Sequence, residues 1–480
     1  MDNSKRALKL SKNTILFFTG SIASKLLTYI LIPFYTSVLT TEEYGFSDTI
    51  FTTVNLVYPI LSLLISEAVF RFALDQNVEK RQTLSIGILI TLASSFIMLI
   101  FSPLIFLING YSPYYIHCVL YYFLIALYAL ISQFVKGIGE SVKYTISGVL
   151  GTLSTLVLTI VFIRFFNMGV KGYLWSYIIS NFIMCLFLFF SCNLSNFIIS
   201  FRNINMMQAK EMVRYSLPII PNSISWWIST SSDKYIINMT LGYSVTGIYS
   251  IAYKIPSLMT TITAVFLSAW QISAVDDFGS SESKQFYSRV YEYFSTLLII
   301  FVSSIVLLSK ILSKLLFSAE FFEAWIYVPI LSLAYLFHDL SSFLGSIYIS
   351  AKKTGMMFTS TLWAALSNIV LNICLIPNFG AMGAAIATLA SYFLVWLIRI
   401  VNTRKLINFE IKHMENFVCF SLLLVQSIII IMDIHYGFFS SLLLLVIITV
   451  IKVKTIKQAF FDVFNVMKSI RKRFSHKYLI

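Results

Sequence analysis

The chain has 480 residues, of which 58% are hydrophobic and only 12% are charged, and it contains 43 Phe and 27 Tyr. Soluble proteins are about 45–50% apolar and about 25% charged, so this composition excludes a soluble protein and predicts a polytopic, all-α membrane protein. The few charges are unbalanced, with 35 Lys and Arg against 21 Asp and Glu and a formal net charge of +14. In a membrane protein this excess points first to topology and not to nucleic-acid binding.

Apolar runs long enough to cross a bilayer follow one another along the chain. A membrane helix needs about 20 apolar residues, and by this criterion we predict about fourteen spans. They are 14–39, 46–70, 86–107, 114–135, 144–163, 172–190, 219–241, 247–270, 291–308, 325–349, 356–376, 381–400, 417–433 and 438–451. The first run continues for about 25 residues without a small-residue cleavage site, which indicates a retained helix and not a signal peptide.

The distribution of Lys and Arg predicts the orientation of these spans. If the N-terminus is cytoplasmic and Arg399, at the end of the twelfth span, is counted with the loop that follows it, 28 of the 35 cations fall in inward segments and three fall within spans. The outward loops hold only four, namely Arg164, Lys171, Lys310 and Lys314. By the positive-inside rule, both termini are predicted to be cytoplasmic.

Two sequence matches suggest that the first twelve spans form a repeat. Residues 39–45 after the first span resemble residues 241–247 after the seventh, at an offset of 202, and residues 167–172 resemble residues 378–383, at an offset of 211. Because the matched positions are six spans apart, the two halves should share one orientation. The alternative is that short glycine-containing turns recur by chance.

The repeat predicts a domain organisation with two six-helix lobes. We expect an N-terminal lobe at 1–192, an amphipathic connector at 193–214, a C-terminal lobe at 215–405 and two additional helices at 406–452. The remaining segment, 453–480, combines apolar residues at helical spacing with many lysines and arginines, which is typical of a cytoplasmic helix held by anionic lipid at the membrane surface.

Polar side chains inside spans are the candidate functional residues, because they are costly in a bilayer unless they face a cavity or a partner. A helical face of the first span carries Ser21, Ser24, Lys25 and Thr28, with Lys25 near mid-bilayer. The seventh span carries a similar stripe, consisting of Asn222, Ser225, Ser229, Asp233 and Lys234. We predict that the serines, threonine, asparagine and two lysines bind substrate and that Asp233 couples transport to an ion. The alternative for the hydroxyl residues is that they only permit close helix packing. The alternative for Asp233 and Lys234 is that one of them is paired with a group on a neighbouring helix.

Three further candidates lie in other spans. Glu67 and Arg71, four residues apart at the cytoplasmic end of the second span, form either a gate or a solvated salt bridge. Lys254 in the eighth span either lines the cavity or extends towards the membrane surface. His338 and Asp339 in the tenth span form either a proton-carrying pair or a satisfied buried pair.

No segment outside the spans is long enough for a catalytic domain, and the sequence has no phosphate-binding glycine-rich loop with an adjacent Lys and Ser or Thr. The five cysteines are scattered singly, which indicates neither a disulfide framework nor a metal site. We therefore predict a protein that is not an enzyme and that has no cofactor beyond a coupling H⁺ or Na⁺.

Several motifs resemble those of a known family. They are Lys12-Asn13-Thr14, Tyr44-Gly45, Asp233-Lys234-Tyr235, the run from Ala351 to Gly355, the run from Ile376 to Gly380 and the run from Gly383 to Thr388. Together they resemble the Wzx-type polysaccharide flippases, within the superfamily of multidrug, oligosaccharidyl-lipid and polysaccharide exporters. The resemblance covers essentially the whole chain but indicates no particular glycan.

The resemblance implies two lobes arranged in a V around a cationic cavity that opens alternately to each side of a bacterial cytoplasmic membrane. It also implies that a polyprenyl-diphosphate-linked oligosaccharide for O-antigen or capsule crosses from the inner to the outer leaflet, with membrane lipids, a polysaccharide polymerase and chain-length proteins as partners. In such proteins the spans that carry Lys25, Arg71, Asp233, Lys234 and Lys254 border the cavity. The alternatives are a drug/cation antiporter of the same fold and a non-transporting scaffold of a polysaccharide assembly complex.

Overall fold

The computed structural model of the protein describes residues 29–105, 112–276, 283–351, 353–410 and 412–462. Within these ranges the regular structure is helical and no strand occurs. The all-α prediction is therefore confirmed. The predicted substrate residues Ser21, Ser24, Lys25 and Thr28 lie outside the described residues, as does most of the basic tail.

The helices of the described ranges are numbered α1 to α16 in chain order. They are α1 (Tyr29–Val38), α2 (Thr41–Leu61), α3 (Ile65–Leu74), α4 (Lys80–Ile105), α5 (Tyr115–Gly137), α6 (Ser141–Thr159), α7 (Gly169–Ser191), α8 (Met206–Ser216), α9 (Ile220–Ala252), α10 (Lys254–Asp276), α11 (Ser283–Leu316), α12 (Val328–Ser350), α13 (Thr354–Arg404), α14 (His413–Ile431), α15 (Gly437–Ile451) and α16 (Val453–Asp462). Short 3₁₀ segments lie before α5, α8, α9 and α12, and α6 ends in a π-helical turn.

The described part of the chain contains eight helices that are long and apolar enough to cross a membrane, or up to ten if each bent pair is one span. The multi-pass character predicted from composition is thus confirmed. The number fourteen stays a prediction, because the first span lies largely outside the described residues and α9 and α13 each run through a break.

The second predicted span is broken into α2 and α3, which meet at an angle of 57°. Leu63 and Leu64 between them have φ angles of 53° and 47°. The left-handed region is costly for residues with a Cβ, so this turn is held by its surroundings. Ser62 contributes by accepting a hydrogen bond from the Leu64 N–H at 3.3 Å.

Glycines break α9 and α13, and each of these glycines lies in one of the two motifs of the predicted repeat. Gly242 has a φ of 85° within α9, and Gly380 has a φ of 58° within α13. Gly169, which precedes Gly380 by the repeat offset of 211, has a φ of 49° at the start of α7. Glycine adopts these angles without the steric cost of a Cβ. The two copies of the second motif therefore share a glycine with a positive φ angle.

The described residues divide into two compact units. The described residues of the first unit fall within Met1–Ser250, Leu315–Phe322 and Asn372–Ala381, and those of the second fall within Ile251–Lys314, Glu323–Leu371 and Met382–Ile480. The domain boundaries predicted from the sequence stay predictions.

In the second unit, buried polar contacts attach the last helices to α11. Gln426 on α14 donates to the Ser303 carbonyl oxygen at 3.1 Å and accepts from the Ser303 hydroxyl at 2.7 Å. Lys452, which is fully buried, lies 2.9 Å from Glu292 Oε1. A buried charge is tolerated when it is paired in this way, so α14 and α15 are an integral part of the second unit.

Candidate functional site

In the first unit, α2 crosses the last part of α9 at two glycines. A Cβ on Gly45 would overlap the Tyr243 carbonyl oxygen, and a Cβ on Gly247 would overlap the Thr41 carbonyl oxygen. The repeat offset of 202 relates Gly45 to Gly247 and Thr41 to Tyr243, so the crossing is reciprocal. The two copies of the first repeat motif therefore pack closely against each other.

An ion pair lies next to this crossing. Lys234 Nζ on α9 is 2.7 Å from Asp48 Oδ2 on α2, and both side chains are mostly but not completely buried, at 14% and 16% exposure. The same carboxylate oxygen accepts a hydrogen bond from the Ser250 hydroxyl at 2.8 Å. Asp48 and Ser250 are also related by the offset of 202. The predicted substrate-binding Lys234 thus has a carboxylate partner that sequence reasoning did not identify.

Further polar contacts join α2 and α9 along their length. The Tyr235 hydroxyl lies 2.5 Å from the Thr53 hydroxyl, and Trp227 Nε1 donates to the Thr52 carbonyl oxygen at 3.1 Å. Asp233 is buried and accepts a hydrogen bond from the Tyr249 hydroxyl at 2.9 Å. The neighbouring residues Asp233 and Lys234 therefore contact different groups, as the angle of about 100° between successive helical side chains requires.

The other predicted residues of the α9 stripe differ in how their polar groups are satisfied. The buried hydroxyls of Ser225 and Ser229 donate to the carbonyl oxygens of Pro221 and Ser225 in their own helix. Asn222 Oδ1 is buried and accepts no hydrogen bond from the described residues. Because a buried unmet acceptor is unfavourable, Asn222 is the stronger binding candidate of the three.

In the second unit, Asp339 is fully buried at the middle of α12. Its Oδ1 lies 2.9 Å from His338 Nδ1, and its Oδ2 accepts a hydrogen bond from the Thr263 hydroxyl on α10 at 2.8 Å. Tyr335 and Tyr392 flank the His338 ring, with centroid distances of 5.8 Å and 5.1 Å. The predicted His338–Asp339 pair is present, while its role in ion coupling stays a prediction.

The remaining predicted residues are Lys254, Glu67 and Arg71. Lys254 is half-buried at the start of α10. Glu67 accepts a hydrogen bond from Gln133 at 3.2 Å. Arg71 is exposed at the end of α3, and the ion pairs of the described residues do not include one between it and Glu67. The salt-bridge alternative for Glu67 and Arg71 is therefore absent from this structure, and the gate alternative stays a prediction.

Arg399 is a further buried cation that the sequence reasoning did not single out. The count of Lys and Arg residues assigned Arg399 to the inward loop after the twelfth span. In the structure it lies within α13, and its side chain is only 2% exposed. Its guanidinium donates to the Ser341 carbonyl oxygen at 2.8 Å and to the Ser360 hydroxyl at 3.0 Å. The position of an arginine inside an apolar run of 381–400 was the available signal. In the described part of the chain, no group of three metal-ligating side chains occurs.

Comparison with known proteins places these features in a family. The family model described as polysaccharide biosynthesis protein matches residues 10–271, which is more than half of the chain. The chain belongs to the polysaccharide biosynthesis protein family. This family assignment confirms the resemblance to Wzx-type flippases seen in the sequence motifs.

Two curated relatives of this family member come from archaea. An uncharacterized membrane protein of Methanocaldococcus jannaschii is 26% identical over 408 residues, which cover 74% of this chain and 78% of the relative. A probable low-salt glycan biosynthesis flippase, Agl15 of Haloferax volcanii, is 25% identical over 200 residues, which cover 40% of each protein.

Solved structures show which fold this member of the polysaccharide biosynthesis protein family has. The lipid II flippase MurJ, in an inward closed conformation, aligns with a TM-score of 0.71 and 14% identity over 94% of this chain and 100% of that one. An inward-facing multidrug resistance MATE family transporter aligns with a TM-score of 0.66 and 13% identity over 82% of this chain and 97% of that one. The fold and family are those of transporters and flippases and not of enzymes.

Proposed function

We propose that the protein moves a polyprenyl-diphosphate-linked oligosaccharide repeat unit from the inner to the outer leaflet of the cytoplasmic membrane, for the synthesis of O-antigen or capsule. Both termini are then cytoplasmic, and a polysaccharide polymerase and chain-length proteins act on the exported unit. The family assignment supports a role in polysaccharide synthesis, and the transporter fold supports movement of the substrate across the bilayer.

The Asp48–Lys234 ion pair carries this proposal. A lysine ammonium binds phosphate as a point charge, and a diphosphate cannot cross hydrocarbon without such compensation. Because Lys234 pairs with the Asp48 carboxylate and keeps some exposure, diphosphate oxygens can take the place of Asp48. Lys25 in the first span would supply a second cation, and the hydroxyl and amide groups near it and on α9 would contact the sugars.

The membrane potential supplies part of the driving force. Moving a charge across 100 mV changes the free energy by about 2.3 kcal/mol, so two negative charges moving outward from an inside-negative cell gain about 4–5 kcal/mol. Exchange of a proton or Na⁺ at Asp233, or at Asp339 together with His338, would add to this. Asp339 is suited to such exchange, because its carboxylate is buried beside a titratable histidine.

The direct test uses a strain that lacks its own polysaccharide flippase. Expression of the protein should restore surface polysaccharide and lower the amount of lipid-linked repeat unit on the inner leaflet. A drug/cation antiporter would instead confer export of cationic dyes, and a scaffold would leave the inner-leaflet lipid unchanged. Either of these results would contradict the proposed transport.

Replacing Lys25 tests the contact with diphosphate. We expect Lys25→Ala to lower export of the repeat unit by about tenfold or more, because losing one well-placed charge contact is worth about 1.4 kcal/mol or more. Inner-leaflet accumulation should be measured at matched expression. Wild-type levels of surface polysaccharide from this variant would show that Lys25 does not contact the diphosphate.

Ion coupling predicts that Asp339→Asn and Asp233→Asn differ from wild type in their response to an imposed ion gradient. In proteoliposomes, a proton or Na⁺ gradient should accelerate wild-type transport, and the response should be lost in the variant of the coupling residue. His338→Gln should shift the pH dependence if Asp339 is that residue. Unchanged gradient dependence in both Asp→Asn variants would exclude coupling at either site.

A further inference from the structure

Three neighbouring cavities that share the lining residue Tyr293 lie along α11 and α16 in the second unit, and we refer to them together as the α11–α16 groove. Its apolar part is a cavity of about 440 Å³ lined by residues that include Leu297 and Ile300 on α11 and Ile456 and Phe460 on α16. Leu297 and Phe460 are 53% and 74% exposed. Exposed apolar side chains at the edge of a cavity favour an apolar occupant, so this part is suited to a hydrocarbon chain.

A buried hydroxyl lines the same cavity. Thr296 on α11 is 4% exposed, and its Oγ1 has no hydrogen-bond partner among the described residues. Leaving a buried hydroxyl unpaired is unfavourable. A ligand that combines a hydrocarbon chain with a hydrogen-bond acceptor at its polar end would satisfy Thr296.

The groove becomes polar at Tyr293. Two smaller recesses, of about 250 Å³ and 300 Å³, meet the apolar cavity at this residue, which lines all three. Arg289 lines both recesses, and Lys412 lines the first. Among the described residues, no carboxylate lies within ion-pair distance of Arg289. The polar end therefore presents a cation that is available to an anionic group.

The acidic side chains of the recesses already have donors. The contacts are Glu292 with Lys452 at 2.9 Å, Glu410 with Lys284 at 3.0 Å, and Asp462 with the Tyr293 hydroxyl at 2.6 Å. Lys412 lies 3.5 Å from Glu415, with both side chains nearly half-exposed. A pair of this kind is weak, so Lys412 can turn towards a ligand.

We propose that the α11–α16 groove binds an anionic glycerophospholipid of the surrounding membrane. An acyl chain fills the apolar cavity, a glycerol ester oxygen accepts the hydrogen bond from Thr296, and the phosphate lies between Arg289 and Lys412. This site is separate from the transported substrate, and its test does not require transport.

The site can be tested by native mass spectrometry of the full-length protein in detergent. Phosphatidylglycerol and phosphatidylcholine with identical acyl chains should be titrated separately. We expect one phosphatidylglycerol to bind about tenfold more tightly than phosphatidylcholine, because a juxtamembrane cation contributes on the order of one tenfold step in affinity. Arg289→Gln combined with Lys412→Gln should abolish this preference, and both substituted side chains are exposed.

Lys457→Gln is the matched control, since Lys457 is an exposed cation of α16 that does not line the groove. It should keep the preference for phosphatidylglycerol. The proposal is wrong if the wild type binds both lipids equally or if the double variant keeps the preference. It is also wrong if Lys457→Gln loses the preference as fully as the double variant does, because the attraction would then be diffuse. Phe460→Ser should weaken both lipids if the acyl chain occupies the cavity, and unchanged binding would place the chain elsewhere.

Discussion

Replacing Lys234 with alanine should lower export of the lipid-linked repeat unit by about tenfold or more, since the variant loses a charge contact worth at least about 1.4 kcal/mol. It also removes the cation that faces Asp48, whose carboxylate accepts a hydrogen bond from the Ser250 hydroxyl. Breaking a buried pair costs about 3–5 kcal/mol, and the residual exposure of this pair reduces that figure. Inner-leaflet accumulation and the melting temperature in detergent should be measured together.

Two double variants separate the structural from the substrate-binding role of Lys234. Asp48→Asn with Lys234→Met removes both charges, and Asp48→Lys with Lys234→Asp exchanges them. Both should recover stability relative to Lys234→Ala, while export stays low because α9 then lacks its cation. Wild-type export from either double variant would show that the pair is only structural. The exposed Lys284–Glu410 pair, at 3.0 Å, provides a control whose removal should have little effect.

Adding a single methyl group at the α2–α9 crossing should also have a large effect. Gly45→Ala and Gly247→Ala each place a Cβ against a backbone carbonyl oxygen of the other helix. A carbonyl within a helix cannot move aside as a flexible side chain can, so the helices must separate. We expect each variant to lose about 1–3 kcal/mol of stability, as overpacked positions do, and to lose most of its export activity.

Gly355→Ala is the matched control for these variants. Gly355 lies in α13, and a Cβ there would meet nothing within 4 Å. Its replacement should be neutral or stabilising by up to about 1 kcal/mol, because alanine favours a helix over glycine. Because Gly45 and Gly247 share one contact, their combined effect should be smaller than the sum of the single effects. A melting temperature for Gly45→Ala equal to that of Gly355→Ala would contradict the tight crossing.

Sequence reasoning reached the candidate site only in part. It identified Lys234, Asp233 and the His338–Asp339 pair, because a charged residue inside an apolar run can be recognised from the sequence alone. It did not identify Asp48, although this residue also lies in a predicted span, because nothing local indicates which carboxylate will meet which lysine. Arg399 was missed for a related reason, since its burial depends on the contacts that its guanidinium makes with Ser341 on α12 and with Ser360.

The sequence by itself determined the class of the protein and the positions of most helices. In a bilayer each spanning segment must satisfy its own backbone hydrogen bonds, and it does so as a helix. A long apolar run in the sequence therefore predicts a membrane helix without any knowledge of its tertiary contacts. Only the tertiary structure decided that Lys234 pairs with Asp48, which is 186 residues away in the chain. It also decided that the repeated glycines contact each other and that a groove forms between α11 and α16. The sequence does not reveal such contacts, because a polar helix face could pair with any of several other helices. The packing of the helices decides which of them it meets.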